Sequence, residues 1–456
     1  MKTIKLLQLC GIMLLSLFLW QCNDLEEEVF SQATEDTFFQ NVNDIQAALT
    51  GMYRPMQKCC GGYQQAGHFI LNGVSDEGKV RGPWGSFDRL DYTPGSNGEI
   101  NDWWRTSYQS ISGANLIIDN KEKIENLIGD DSKAVVAEAK FFRAVIYFQL
   151  VQMYGGVPLR VKQVKRADDV NIARNTEEEV YNQIIADFEA AEQDLPPTSD
   201  PGVIKKGAAT AYLAKVYLTR NNYPKALEKA TEVVNSGTYS LAQTFSDVFD
   251  IASENGPEDI LTIQYIRADQ QGMRLESLSN AWGLSGLETD LYYKYDPTDS
   301  RRSTTFLDDA ILNNPTRPEK QGKWVDPDKT SADGQGNNFI IYRYADLLLI
   351  KAEAENEANG PTTAAYAEIN KVRSRANLPN LASNLSKDEF REAVWNERNL
   401  ELAIEEIRWY DLKRTGRLES VLSATGVTWN NKYLLFPIPQ QEIDASNGLI
   451  TQNPGY

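Results

Sequence analysis

One histidine, His68, stands among 456 residues. Common zinc sites draw on several His or Cys side chains, so most zinc chemistry is excluded. A His-centred catalytic triad has a single available member, and nothing beside it in sequence recommends it. Cysteine is scarce too. Of four, Cys10 and Cys22 lie in or just after the N-terminal apolar segment, which leaves the adjacent pair Cys59-Cys60. Such a pair forms a strained vicinal disulfide or stays as two thiols, and neither is a disulfide framework. Stability must come from packing. Basic charge is in deficit, with 46 Lys and Arg against 64 Asp and Glu and a formal net charge of −18. No basic run appears, which excludes duplex nucleic acid as a partner, because phosphate contacts need a basic surface. Beyond Trp20 no stretch approaches the ~20 apolar residues of a transmembrane helix. Aromatics, by contrast, are plentiful: nine Trp and 21 Tyr exceed what a core of helices requires, and point to a binding surface.

The chain opens with Lys2 and Lys5, then the mostly apolar Leu6–Trp20, then Gln21-Cys22. A basic start and an apolar run of this length read as an export signal, short for a membrane span. A cysteine stands where ordinary secretory cleavage would have a small-x-small pattern. This resembles a lipoprotein signal, with residues 1–21 removed and Cys22 lipidated as the first mature residue. Gln21 departs from the small residue usual at its position. Cleavage removes two lysines and no acid, so −18 becomes −20. Residues 22–30 are then a lipidated cysteine and an acidic tether, Asn23-Asp24-Leu25-Glu26-Glu27-Glu28. Acids at this place resemble the surface-export tag of some Gram-negative lipoproteins, and imply an outer-membrane lipoprotein facing the cell exterior.

Residues 31–456 read as one body. Residues 134–154 are apolar nearly all round, which predicts a buried helix stopped by Gly155-Gly156-Val157-Pro158. Residues 205–236 predict a helix–turn–helix with small alanines (Ala208, Ala211, Ala214, Ala226, Ala230) and a turn at Asn221-Asn222. Residues 344–376 predict a second pair broken at Gly360-Pro361, and 102–123 and 178–194 extend the set. Paired helices of this kind fit the roughly 34-residue tetratricopeptide (TPR) unit, and such units stack into one superhelical layer. Two segments carry no sustained period: 60–100, and 255–340 after the strand-like ILTIQYI. Loops this long are functional or disordered, and their aromatic content argues against disorder.

Ordered motifs then bring a family into view. Ala137-Glu138-Ala139-Lys140-Phe141-Phe142-Arg143-Ala144, with Tyr154-Gly155-Gly156-Val157-Pro158-Leu159, resembles the central helix of the SusD/RagB nutrient-binding lipoproteins. So do Arg343-Tyr344-Ala345-Asp346-Leu347-Leu348-Leu349, Asn396-Glu397-Arg398, and Arg408-Trp409-Tyr410-Asp411-Leu412-Lys413-Arg414. The closing Phe436-Pro437-Ile438-Pro439 and Gln452-Asn453-Pro454-Gly455-Tyr456 are similar to the family's ending. The resemblance implies a mostly α fold: a TPR-like superhelix with an irregular, loop-rich ligand-binding face and few short strands. It implies a non-catalytic lipoprotein that captures oligosaccharides and delivers them to a SusC-like TonB-dependent outer-membrane transporter. Peptide capture on the same architecture, or a TPR scaffold binding only protein, are the alternatives.

The residues themselves offer three chemistries. On a single helix over 394–414, Glu397, Glu401, Glu405 and Glu406 suggest a glycosidase, but that reaction needs two carboxyls facing each other across a sugar. Leu400, Ile404 and Ile407 supply a buried stripe. The pairs Arg398 to Glu401, Glu405 to Arg408 and Arg408 to Asp411 explain the charges as i, i+3 stitching. Glu138, Arg143, Arg343 and Asp346 read likewise as packing and polar stitching, and Trp103-Trp104 as core. Asp326-Pro327-Asp328 with Asp333-Gly334 suggests calcium but misses the EF-hand spacing, since Ser331 and Asn337 stand where glycine and glutamate belong. The expectation is no cofactor, with a structural calcium of another kind left open. Sugar binding is the third. A pyranose lays its C–H face on an aromatic ring while its hydroxyls seek Asp, Asn and Arg. Trp84, Phe87, Asp88 and Arg89 supply that mixture, with Asp76 as a further polar group and Trp282, Tyr292 and Tyr293 as a second wall. Each has an ordinary alternative as a loop-packing aromatic or surface charge.

Overall fold

The computed structural model describes residues 38–456 apart from 59–60, 96–97, 167–170, 269–271, 308–317 and 333. The signal, Cys22, the acidic tether, Cys59-Cys60 and Asp333 lie outside the described residues. No helix among the described residues is long and apolar enough to cross a membrane.

Eight helices follow one another in a single layer: α1 (Val42–Gln57), α2 (Gly98–Asp119), α3 (Ser132–Tyr154), α4 (Glu177–Asp194), α5 (Lys206–Thr219), α6 (Tyr223–Ser236), α7 (Tyr344–Asn359) and α8 (Thr363–Arg375). Each packs on the helix before it and the helix after it. Local chemistry sets their ends. Asn41 with Asp44, and Thr176 with Glu179, form capping boxes that satisfy the first N–H groups of α1 and α4. Helix α3, apolar on nearly every side, is buried between α2 and α4 and ends at Gly155, whose φ of 72° suits glycine. Ala208, Ala211 and Ala214 on α5 are fully buried, and Asn221 turns the chain into α6 with a φ of 57°.

Helix α7 packs directly on α6 although more than a hundred residues separate them, so the segment between is an excursion from a continuous repeat. Four strands discipline it. β1 (Gly78–Val80) pairs antiparallel with β3 (Ser285–Leu287), and β2 (Asp259–Ile263) with β4 (Phe339–Arg343). The β2–β4 ribbon closes the base of the excursion, and its first strand is the one expected in ILTIQYI. Polar residues of the family motifs stitch the layer. Arg143 meets Asp187 with two bonds of 2.8 Å, and Asp346 takes Lys215 at 2.9 Å and Arg398 at 2.7 Å.

The single helix expected over 394–414 is not formed. Helix α9 (Lys387–Glu401) stops, and α10 (Arg408–Arg414) begins after a break in which Ile404 and Glu406 take φ of 59° and 61°. Such left-handed residues end a helix. Distant groups hold them there: the Ile404 N–H donates to Glu77 at 3.0 Å, and Glu405 bonds Arg343 and Lys323. The proposed local pairs are therefore replaced by tertiary ones. Glu401 meets Arg301, Arg343 and Arg375; Arg408 meets Asp76; Arg398 meets Asp346 and Asp411. The stitching reading holds for Glu397, Glu401 and Glu405, with long-range partners, whereas Glu406 is buried with neither carboxylate oxygen hydrogen-bonded among the described residues. Trp103 and Trp104 are both buried as expected, and Phe436 and Ile438 of the closing motif are fully inside.

Candidate functional site

Ribbon β1–β3 is where the two irregular segments meet. Its register is Gly78 opposite Leu287 and Val80 opposite Ser285. Glycine is required on β3, since a Cβ at Gly286 would lie 2.3 Å from the Glu319 carbonyl oxygen. Just past β1, the Arg81 N–H donates to the Leu284 carbonyl at 2.8 Å and its guanidinium to the Gly283 carbonyl at 3.3 Å. These bonds set the turn Gly82–Trp84 beside Trp282-Gly283-Leu284.

Two of the aromatics expected to bind a sugar thus come to the same end of one ribbon. The Trp84 indole is half-buried, stacked on Phe69 with centroids 4.3 Å apart and planes 20° from parallel, and its Nε1–H donates to Glu99. Trp282 closes a π-helical turn over Ser277–Ala281 and stays 45% exposed, with the Arg274 guanidinium 5.8 Å from its ring centroid. The cation lies over the ring within cation–π range and also donates to Gln65 Oε1 at 3.1 Å, while the exposed part of the indole offers an apolar surface.

The remaining candidates divide. Tyr293 is 67% exposed and Tyr292 half-buried, on the short helix Thr289–Lys294 beyond the other end of β3. Phe87 is a correction: its ring is fully buried against Tyr92 and underlies the turn, where no ligand reaches it. Asp88 is drawn inward, its carboxylate accepting the Val80 N–H at 2.9 Å, and burial pushes its pKa up to about 7. Arg89 is exposed and pairs with neighbouring Asp91. Asp76 bonds Arg408 at 2.7 and 3.0 Å and Lys294 at 2.9 Å, so it ties the ribbon to α10.

Ser285, His68 and Asn72 form a hydrogen-bonded line, 2.9 and 2.8 Å long, reminiscent of a catalytic triad. All three side chains are buried, and burial lowers the His68 pKa to about 3. The line fastens β3 to the short helix His68–Gly73. Among the described residues no group of three or more His, Cys, Asp or Glu is placed to hold a metal ion. Asp326 of the would-be calcium loop is occupied by Arg267 at 2.8 and 3.0 Å and by the Gly336 and Asp328 N–H groups.

Sequence reasoning missed Arg81 and Arg274. The signal for Arg81 was present, three residues before Trp84; Arg274 reaches Trp282 only through the π-helical turn, which leaves no periodic mark in sequence.

Comparison with known proteins agrees with this architecture. Residues 162–456 match the SusD family model, and residues 25–218 match a model described as starch-binding associating with outer membrane. A SusD-like protein of Formosa agariphila is 31% identical, covering 95% of this chain and 97% of its own. Among solved structures, a SusD superfamily protein from Bacteroides vulgatus superposes with a TM-score of 0.80 at 24% identity, over 92% of this chain and 100% of its own. A laminarin-binding SusD-like protein superposes with a TM-score of 0.78 at 26% identity, over 91% of this chain and 100% of its own. The helical layer, the closing motif and these matches have one meaning: the chain belongs to the SusD family.

Proposed function

We propose that the protein is a cell-surface glycan-binding lipoprotein that captures oligosaccharides on the Trp84–Trp282 end of ribbon β1–β3. The observation that carries the reading is that one ribbon brings the half-buried Trp84 and the exposed Trp282, from segments some two hundred residues apart, to the same end. Structural economy alone would bury a ring such as Trp282, and its exposed surface is an apolar platform for the C–H face of a sugar. The laminarin-binding relative supports glycans as the ligand class, and the family model that names the outer membrane supports the location. Cys22 would carry the lipid, and a SusC-like TonB-dependent transporter would receive the captured ligand. The reading is non-catalytic. Of the four glutamates of the hydrolytic pattern, Glu397, Glu401 and Glu405 are spent on Arg301, Arg343, Arg373, Arg375 and Lys323, and Glu406 is buried, with His68 Nδ1 3.8 Å away and burial raising its pKa.

Calorimetry of the soluble body against a panel of glycans, laminarin oligosaccharides included, and of peptides tests this. Trp282→Ala is expected to weaken glycan binding at least tenfold with thermal stability unchanged, because the ring is exposed. Trp84→Ala is expected to weaken binding equally and also to lower stability by about 1 kcal/mol or more, through the lost Phe69 stack. Binding to peptides alone would replace the glycan reading. Turnover of a bound glycan by the purified body would overturn the non-catalytic one.

A further inference from the structure

A cavity of about 420 Å³ opens between α1, the start of α3, the 202–204 loop and β2. It shares no lining residue with the tryptophan edge and borders the other ribbon. Its size falls in the range of small-ligand sites, roughly 300–1,000 Å³. Leu49, Val203, Ile204 and Ile263 give it apolar walls, while Tyr53 and Glu138 give it polar groups. The Tyr53 hydroxyl donates to Glu138 Oε1 at 2.8 Å, and no ion pair among the described residues includes Glu138. Burial raises the pKa of both groups.

Glu138 belongs to the AEAKFFRA motif, where its charge read as stitching between helices. The structure gives it a phenol instead of a cation, at the wall of a cavity. An uncompensated carboxyl repels carboxylates and phosphates, and its acceptor oxygen suits a hydroxyl. Gln46 and Thr50 line the same space, the Thr50 hydroxyl donating to the Gln46 backbone carbonyl at 2.9 Å, and the aliphatic walls suit C–H faces. We infer that this cavity is a second ligand site, for a neutral hydroxylated ring of one or two sugar units, oriented by Glu138 and Tyr53. The choice of a sugar among neutral polyols rests on the proposed function.

Saturation-transfer NMR on the purified body, with glucose, mannose and xylose as separate probes, tests the site. At least one sugar is expected to receive saturation in the Trp84→Ala/Trp282→Ala protein, which lacks the tryptophan edge. That signal is expected to fall at least tenfold in Val203→Trp, which fills the cavity from an exposed position, and in Thr50→Trp, a second filling variant on another element. Glu138→Gln should reduce it less. Signal that survives both filling variants, or no saturation of any of the three sugars, overturns the inference. The two readings fail separately. Oligosaccharide binding lost with the tryptophans, with no monosaccharide signal sensitive to Val203→Trp, leaves the tryptophan edge standing and removes the cavity. Binding lost with Val203→Trp and indifferent to the tryptophans does the reverse.

Discussion

Asp76 and Glu77 are neighbours in sequence, and the fold drives their protonation in opposite directions. Burial alone would raise Asp76, but the hydrogen bonds and charge of Arg408, with Lys294, bring it down to about 2. Glu77 has burial dominant, and the Arg408 charge and the Ile404 N–H do not overcome it, so its pKa is pushed up to about 8. The linkage follows. An acid lowered in the folded state contributes stability that is present above its unfolded pKa and lost as pH falls toward 2; Asp76 behaves so. An acid raised in the folded state loses stability as pH rises from its unfolded pKa, near 4.5, to the folded one, near 8. Glu77→Gln keeps an acceptor for Ile404 and removes the titration. The variant is expected to be more stable than the parent at pH 8, with the gap closing near pH 4.5; urea unfolding at both pH values checks it. An unchanged gap across that window would show that folding does not raise the Glu77 pKa. Asp76 read from sequence as a sugar-binding carboxylate because a loop acid carries no mark of its partner. Arg408 lies more than three hundred residues away.

At the scale of elements, ribbon β1–β3 is the smallest piece that turns two loops into one surface. Three residues per strand are marginal alone. The ribbon is held by Leu287 exchanging two backbone bonds with Glu319, by the Ser285–His68 bond, and by Lys79 with Glu288. Gly286 is the weak point, because Glu319 leaves no room for a Cβ. Gly286→Ala is therefore expected to part the ribbon and separate Trp84 from Trp282. Glycan affinity should fall at least tenfold while far-UV circular dichroism, dominated by the helical layer, stays near that of the parent. Retained affinity would mean that the tryptophans do not depend on the ribbon. The helices were legible because their apolar periods, alanine spacing and Gly-Pro stops are local. The ribbon was not: Gly-Lys-Val and Ser-Gly-Leu are too short to carry a period, and their pairing spans more than two hundred residues. The break between α9 and α10 was missed for the same reason, since the residues that force Ile404 and Glu406 out of helix lie in other elements.

Over the whole molecule, a buried set of charges joins the helical layer to the excursion. Arg343, at the end of β4, bonds Glu258 beside β2, Glu401 on α9 and Glu405 in the break, while Arg301 and Arg375 share Glu401. Removing one partner of such a network leaves unpaired charge inside, at a cost of about 3–5 kcal/mol. Arg343→Met is expected to lower stability by about that amount, measured by urea unfolding, and to do so in a single transition if layer and excursion melt together. Two transitions would show that they are separately stable. The linear pattern by itself determined the helical repeat, the stops between its paired helices, and the family, because all of these rest on residue type at short spacing. Only the tertiary structure decided which loop aromatics stay in solvent, which carboxylates are spent on cations, and that Glu138 faces a cavity. Those outcomes depend on desolvation and on partners brought together from distant parts of the chain, and neither is written in any local stretch of it.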